Sequence, residues 1–138
     1  MESKDQHSVL MADDDEEDCL LANEAFSESG LKATFSCVED GMELMDYLFE
    51  RSRSDTISLP DLILLDLNMP RKDGREALLE IKAEPALQHI PIVILTTSRE
   101  EKDIAFAAKA GANTFITKPA TFDEWVEIMK SLAEHWLA

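Results

Sequence analysis

The sequence is short of positive charge. Lysine and arginine number 13 against 29 aspartates and glutamates, so the net charge is −16. Such a field repels DNA, RNA and anionic membrane surfaces, and no large basic cluster offsets it. Neither direct nucleic-acid binding nor membrane association is expected. Long apolar runs are missing too: the longest, Ile90-Pro91-Ile92-Val93-Ile94-Leu95, is far too short to span a bilayer. Cysteine is scarce, and Cys19 and Cys37 have neither metal-ligand spacing nor a disulfide framework. Met1 to Ser8 are polar and charged, with no sign of a signal peptide. These absences lead to the expectation of a cytoplasmic protein with reduced thiols. Repeats and low-complexity linkers are absent as well. What remains is a chain of 138 residues, 45% hydrophobic and 30% charged, which suits one folded domain with a real core.

Short apolar runs alternate with longer amphipathic stretches. Val9-Leu10-Met11-Ala12 reads as a buried strand, and residues 16–28 as a helix closed by Ser29-Gly30. Thr34 to Val38 alternates like a second strand, and residues 41–50 form a second helix. Leu62-Ile63-Leu64-Leu65 is apolar at every position, as in a parallel sheet covered on both faces. A helix follows at about 75–83. Ile92-Val93-Ile94-Leu95 is the fourth strand and residues 99–110 its helix, stopped by Gly111. Thr114-Phe115-Ile116-Thr117 is the fifth strand. The last helix opens at Thr121, with Glu124 completing a Thr-x-x-Glu capping box. Five strand–helix units in a row predict an α/β protein: a doubly wound five-stranded parallel sheet with helices on both faces.

In an open α/β sheet, ligands sit outside the carboxyl ends of the strands. Asp13, Asp14 and Asp15 follow the first strand, Asp66 and Asn68 the third, Thr96, Thr97 and Ser98 the fourth, and Lys118 and Pro119 the fifth. Six acids run together from Asp13 to Asp18. A helix N-terminus favours acids and accounts for Glu16, Glu17 and Asp18. It accounts less well for Asp13 and Asp14, which should face Asp66. Carboxylates gathered there repel one another and would bind protons or a cation. An all-oxygen set suits a hard cation such as Mg2+. Asp66 alone would read as a cap or turn residue. In this company it can attack phosphorus and carry an aspartyl phosphate, with Thr96 donating to one phosphoryl oxygen and Lys118 pairing with another. Arg71, Lys72 and Arg75 are either a solvated loop or a rim that draws an anionic donor toward Asp66. His7, His89 and His135 read as solvated.

Four motifs, each after its own strand, resemble the receiver domain of two-component response regulators. They are Asp13-Asp14; Leu65-Asp66-Leu67-Asn68-Met69-Pro70 with Asp73-Gly74; Leu95-Thr96-Thr97-Ser98; and Phe115-Ile116-Thr117-Lys118-Pro119. The likeness runs from about Val9 to Leu132, within a single receiver domain at residues 8–138 after a tail at 1–7. The chain looks most like the single-domain regulators paired with bacterial phytochrome kinases. The resemblance implies the (βα)5 flavodoxin-like receiver fold. It also implies a phosphorylatable switch rather than an enzyme with an outside substrate, though one that can promote its own phosphorylation and dephosphorylation. A histidine kinase would pass a phosphoryl group to Asp66. Asp14, Asp66 and the backbone carbonyl of Asn68 would ligate Mg2+, with Asp13 acting largely through water. Lys118 would contact the phosphoryl group, Thr96 would move toward it, and Phe115 would turn inward. The Lys118–Pro119 bond would be cis. Phe115 stands where Tyr is frequent, which removes one hydrogen bond from the switch. No output domain is expected after the receiver, so the output would be a protein contact, a dimer or a phosphorelay step.

The switched surface would be the last two helices and last strand. The last helix is apolar over a wide arc including Phe122, Trp125, Met129, Leu132, Ala133 and Trp136. Deep burial on the sheet accounts for this, and so does a contact surface, most simply a twofold homodimer. Ile104 and Phe106 lie two positions apart and cannot both face the core. Two other functions fit parts of the pattern. An aspartyl-phosphate phosphatase of the haloacid dehalogenase type would place Asp where Asn68 stands. A flavodoxin-like cofactor binder would need a loop rich in Gly, Ser or Thr after the first strand, where this chain has six acids. A degenerate receiver acting as a scaffold conflicts with the intact Asp14, Asp66, Thr96 and Lys118 set.

Overall fold

A computed structural model describes residues 7–137. The elements alternate throughout. They are β1 (His7–Ala12), α1 (Glu16–Ser27), β2 (Ala33–Val38), α2 (Gly41–Ser52), β3 (Leu62–Leu65), α3 (Gly74–Ala83), β4 (Ile92–Thr96), α4 (Glu101–Ala110), β5 (Thr114–Thr117) and α5 (Phe122–Trp136). The strands form one parallel sheet in the order β2-β1-β3-β4-β5. The doubly wound α/β architecture expected from the sequence is therefore present. His7 already belongs to β1, one residue inside the expected tail, because its amide bonds to the Lys32 carbonyl at 3.1 Å. The rest of that tail lies outside the described residues.

Strand side chains alternate between two cores. Leu10, Ala12, Ile63, Leu65, Ile92 and Ile94 meet Leu44, Leu48, Leu78, Ile81 and Ala107 from α2, α3 and α4 on one face. Val9, Met11, Leu62, Leu64, Val93 and Leu95 meet Phe26 of α1 and Trp125, Met129 and Leu132 of α5 on the other. The central strands are buried on both sides, which explains why β3 shows no polar position.

Polar residues after the strands start the helices. Asp15, Asp40 and Asp73 cap α1, α2 and α3 through their side chains, and Thr121 caps α5 by accepting from the Glu124 amide. Each satisfies an N–H that the helix cannot. Gly30 takes a left-handed backbone (φ 77) in the turn beyond α1.

Two expectations are corrected. The thiols are not separate: Cys19 of α1 and Cys37 of β2 form a disulfide, with Cα atoms 6.4 Å apart. The pairing follows from α1 packing back beside β2, a proximity that sequence spacing does not reveal. The Lys118–Pro119 peptide is trans, since no cis peptide occurs among the described residues; trans is the lower-energy isomer of an X–Pro bond. No helix among them is long and apolar enough to cross a membrane.

Candidate functional site

Strand register brings the chemistry to one sheet edge. Ala12 pairs with both Val38 and Leu65, and Thr96 pairs with Thr117. The Asp13 amide donates to the Val38 carbonyl at 3.0 Å, the Asp66 amide to that of Ala12 at 3.0 Å, and the Lys118 amide to that of Thr96 at 2.8 Å. Each candidate is thus fixed by the ladder that ends beneath it.

Lys118 occupies the centre. Its Nζ lies 2.7 Å from Asp13 Oδ2, 2.7 Å from Asp18 Oδ2 and 3.2 Å from Asp66 Oδ2. Burial disfavours the ammonium form, but the Asp13 and Asp18 carboxylates outweigh it and raise the Lys118 pKa. Asp13 is 2% exposed. Burial pushes its carboxyl up to about 6, helped by the Asp66 charge and opposed by Lys118 and the Asp15 amide. Asp66 is buried, its Oδ1 accepting from the Asn68 amide at 3.2 Å.

Oxygen atoms of Asp13, Asp14 and Asp66 lie within 4.8 Å of one another. Asp14 is exposed and the other two are buried, so the cluster opens to solvent on one side. Asp13 Oδ2 forms an ion pair with Lys118 yet no aligned hydrogen bond among the described residues. An all-oxygen donor set with an under-satisfied buried carboxylate fits a hard divalent cation.

Two glycines let the loops close on this edge. A Cβ on Gly74 would lie 2.0 Å from the Asp66 carbonyl oxygen, so only glycine lets α3 start against the acceptor strand. A Cβ on Gly41 would lie 2.2 Å from the Lys72 carbonyl oxygen, which the Gly41 amide instead meets at 2.8 Å.

Each cation of the candidate rim has a carboxylate partner. Arg71 donates to Asp40 at 2.8 Å, Lys72 pairs with Glu80, and Arg75 binds Asp103 at 2.9 Å. These carboxylates come from α3, α4 and the start of α2. Arg71 holds the Asp40 carboxyl below the usual range. Thr96 is fully buried, its Oγ1 3.5 Å from the Ser98 amide. Phe115 is half-buried against the α2–α4 core. Asn68 is exposed, with its Oδ1 3.4 Å from Arg75.

Sequence reasoning missed two residues. Asp18 was assigned to the helix N-terminus alone, and nothing in its spacing separates it from Glu16 and Glu17. Asp103 sits in an otherwise ordinary helix but is 5% exposed and accepts from Ser98 Oγ at 2.5 Å. In the last helix, Trp125, Met129, Leu132 and Ala133 of α5 are buried, so most of its apolar arc is core. Phe122 and Ile104 remain exposed at 40% and 42%, while Phe106 packs inward.

Comparisons with known proteins agree with this geometry. The family model described as the response regulator receiver domain matches residues 9–130. The response regulator Rcp1 of Synechocystis is 34% identical over 136 residues, covering 99% of this chain and 92% of that protein. The crystal structure of the phosphorylated cyanobacterial phytochrome response regulator RcpA superposes with a TM-score of 0.88 at 41% identity, covering 96% of this chain and 95% of that one. The Mn2+-bound form of Rcp1 superposes with a TM-score of 0.84 at 34% identity, covering 95% and 94%.

Proposed function

The chain belongs to the response regulator receiver family, a family of signalling switches that accept a phosphoryl group and interact with histidine kinases, and from that premise we propose that Asp66 is the acceptor. The observation that carries this is the buried Asp66 carboxylate held between Lys118 and the Asp13–Asp14 pair. A carboxylate oxygen of Asp66 bonds to phosphorus as the phosphorus–nitrogen bond of the kinase phosphohistidine breaks. The electron pair stays on the imidazole nitrogen, which takes up a proton. Lys118, already 3.2 Å from Asp66, pairs with one phosphoryl oxygen. Thr96 moves to donate its hydroxyl to another, and Phe115 turns inward to fill the space. The chain thereby contributes to its own phosphorylation, and to its dephosphorylation when water attacks the same phosphorus and Asp66 leaves as the carboxylate.

Receiver domains bind a divalent cation through such an acidic pocket, and we assign Mg2+ here. Asp14, Asp66 and the Asn68 backbone carbonyl would hold it, and Asp13 would act largely through water. When bound, it offsets the charge that builds between the carboxylate and the phosphoryl oxygens. The similarity to RcpA supports a bacterial phytochrome kinase as the partner, and a cytoplasmic kinase-facing site follows from that reading. The output surface is α4, β5 and α5, where Ile104 and Phe122 offer apolar contacts for a twofold homodimer.

Intact mass after incubation with acetyl phosphate and Mg2+ tests the assignment. A single phosphoryl adduct is expected, lost in Asp66→Asn and without metal. Size exclusion of the same samples reads out assembly. An adduct that survives Asp66→Asn overturns the assignment.

A further inference from the structure

Three side chains outside the acceptor cluster tie three elements together. Arg75, the second residue of α3, binds Asp103 of α4 through Nε at 3.2 Å and through Nη2 at 2.9 Å. The other oxygen of Asp103 accepts from Ser98 Oγ, in the loop between β4 and α4. Nη1 of the same guanidinium makes longer contacts, 3.4 Å each, to the Leu67 carbonyl and to Asn68 Oδ1. Those two residues directly follow Asp66. Gly74 presses the start of α3 onto the Asp66 carbonyl, so Arg75 stands beside the acceptor loop by construction.

The connection bears on Thr96. Ser98 lies two residues beyond it, and the Ser98 amide meets Thr96 Oγ1 at 3.5 Å. In the proposed reaction Thr96 moves toward the phosphoryl group, so the loop must move with it. To follow, Ser98 must break its bond to Asp103 or carry Asp103 with it, and Asp103 is itself buried and bound by Arg75. A contact made in only one of two states shifts the population toward that state.

We propose that Arg75, Asp103 and Ser98 form a tether that holds the loop after β4, and Thr96 with it, in the unphosphorylated arrangement, and that these three are positioning residues which limit the rate of phosphoryl acceptance. A phosphoryl group on Asp66 brings new negative charge beside the Leu67 and Asn68 contacts. It competes with Asp103 for the guanidinium, and the loss of Arg75 from Asp103 unties α4 from α3, so that Asp103 and Ser98 can shift together with the loop. This inference rests on Asp66 being the acceptor.

The test follows the rate of adduct formation by intact mass across acetyl phosphate concentrations at fixed Mg2+. Ser98→Ala and Asp103→Asn are each expected to raise the maximal rate by about threefold or more, since the first removes a charge-assisted bond made in the resting state and the second takes away its charge. The half-saturating donor concentration should not change. Ser98→Thr keeps the hydroxyl and should keep the wild-type rate. The Ser98→Ala/Asp103→Asn pair should not exceed the larger single effect, because both cut one tether. Looser packing alone would not be rescued by threonine. Rates within twofold of wild type for both single variants, or slower ones, overturn the tether while leaving Asp66 as acceptor. A wild-type chain that takes no adduct, or an Asp66→Asn chain that does, overturns the acceptor assignment and the tether with it.

Discussion

At the scale of single residues, the site trades stability for chemistry. Asp13 is buried where an ionised carboxylate is costly, and its pKa rises from 3.8 to about 6. A raised carboxyl pKa means the folded chain holds a proton that the unfolded chain releases. Its contribution is therefore fully present below about 3.8 and is lost as pH rises through about 6. The rise corresponds to on the order of 3 kcal/mol at neutral pH. Asp13→Asn removes the group and should raise the thermal midpoint of the metal-free protein at pH 7.5. At pH 5 the gain should shrink, because wild-type Asp13 is then mostly protonated. Denaturation in EDTA at both values decides it, and an equal gain at the two pH values would falsify the account. Lys118 tempers the same cost with its two 2.7 Å ion pairs, one of them to the unforeseen Asp18.

At the scale of elements, legibility in the sequence tracked locality. The central strands could be read because burial on both faces forces apolar runs, the edge strand β2 by its alternation, and β3 and β5 fall where the pattern places them. The acids after β1 and β3 and the hydroxyl and lysine after β4 and β5 were legible because parallel topology sends every strand end to one edge. Contacts between distant segments were not legible. Arg71 and Arg75 read as a solvated loop or a rim, and their pairing with Asp40 and Asp103, 31 and 28 residues away, could not be read. The Cys19–Cys37 pair was hidden for the same reason: it depends on α1 lying beside β2. That bond closes a segment of 18 residues. Constraining the unfolded chain over such a loop contributes about 3 kcal/mol in the chain-entropy account. Reductant should lower the thermal midpoint of the wild type by several degrees and leave Cys19→Ser/Cys37→Ser unmoved. Equal wild-type midpoints with and without reductant would show that the bond contributes nothing.

At the scale of the whole molecule, the charge of −16 sets the background against which the site works. Self-repulsion among 29 acidic residues opposes the compact state, and salt relieves it over a screening length of about 10 Å at 0.1 M. Sodium chloride should therefore stabilise the chain gradually, with no saturation point tied to any residue. A divalent cation acts in two ways. It screens like any other ion, and it also binds where Asp13, Asp14 and Asp66 converge within 4.8 Å. Binding only to the folded state adds stability that grows with the logarithm of cation concentration once the site fills. Millimolar Mg2+ should thus raise the thermal midpoint well beyond sodium chloride of equal ionic strength. Asp14→Asn removes an exposed carboxylate that caps no helix, so its fold should survive. In that variant the excess should collapse to the screening part. If Mg2+ and sodium chloride act alike on the wild type, the acidic edge is only a dense patch of charge. If the excess appears and depends on Asp14, the acids that destabilise the whole chain are the ones that make it a metal-dependent switch.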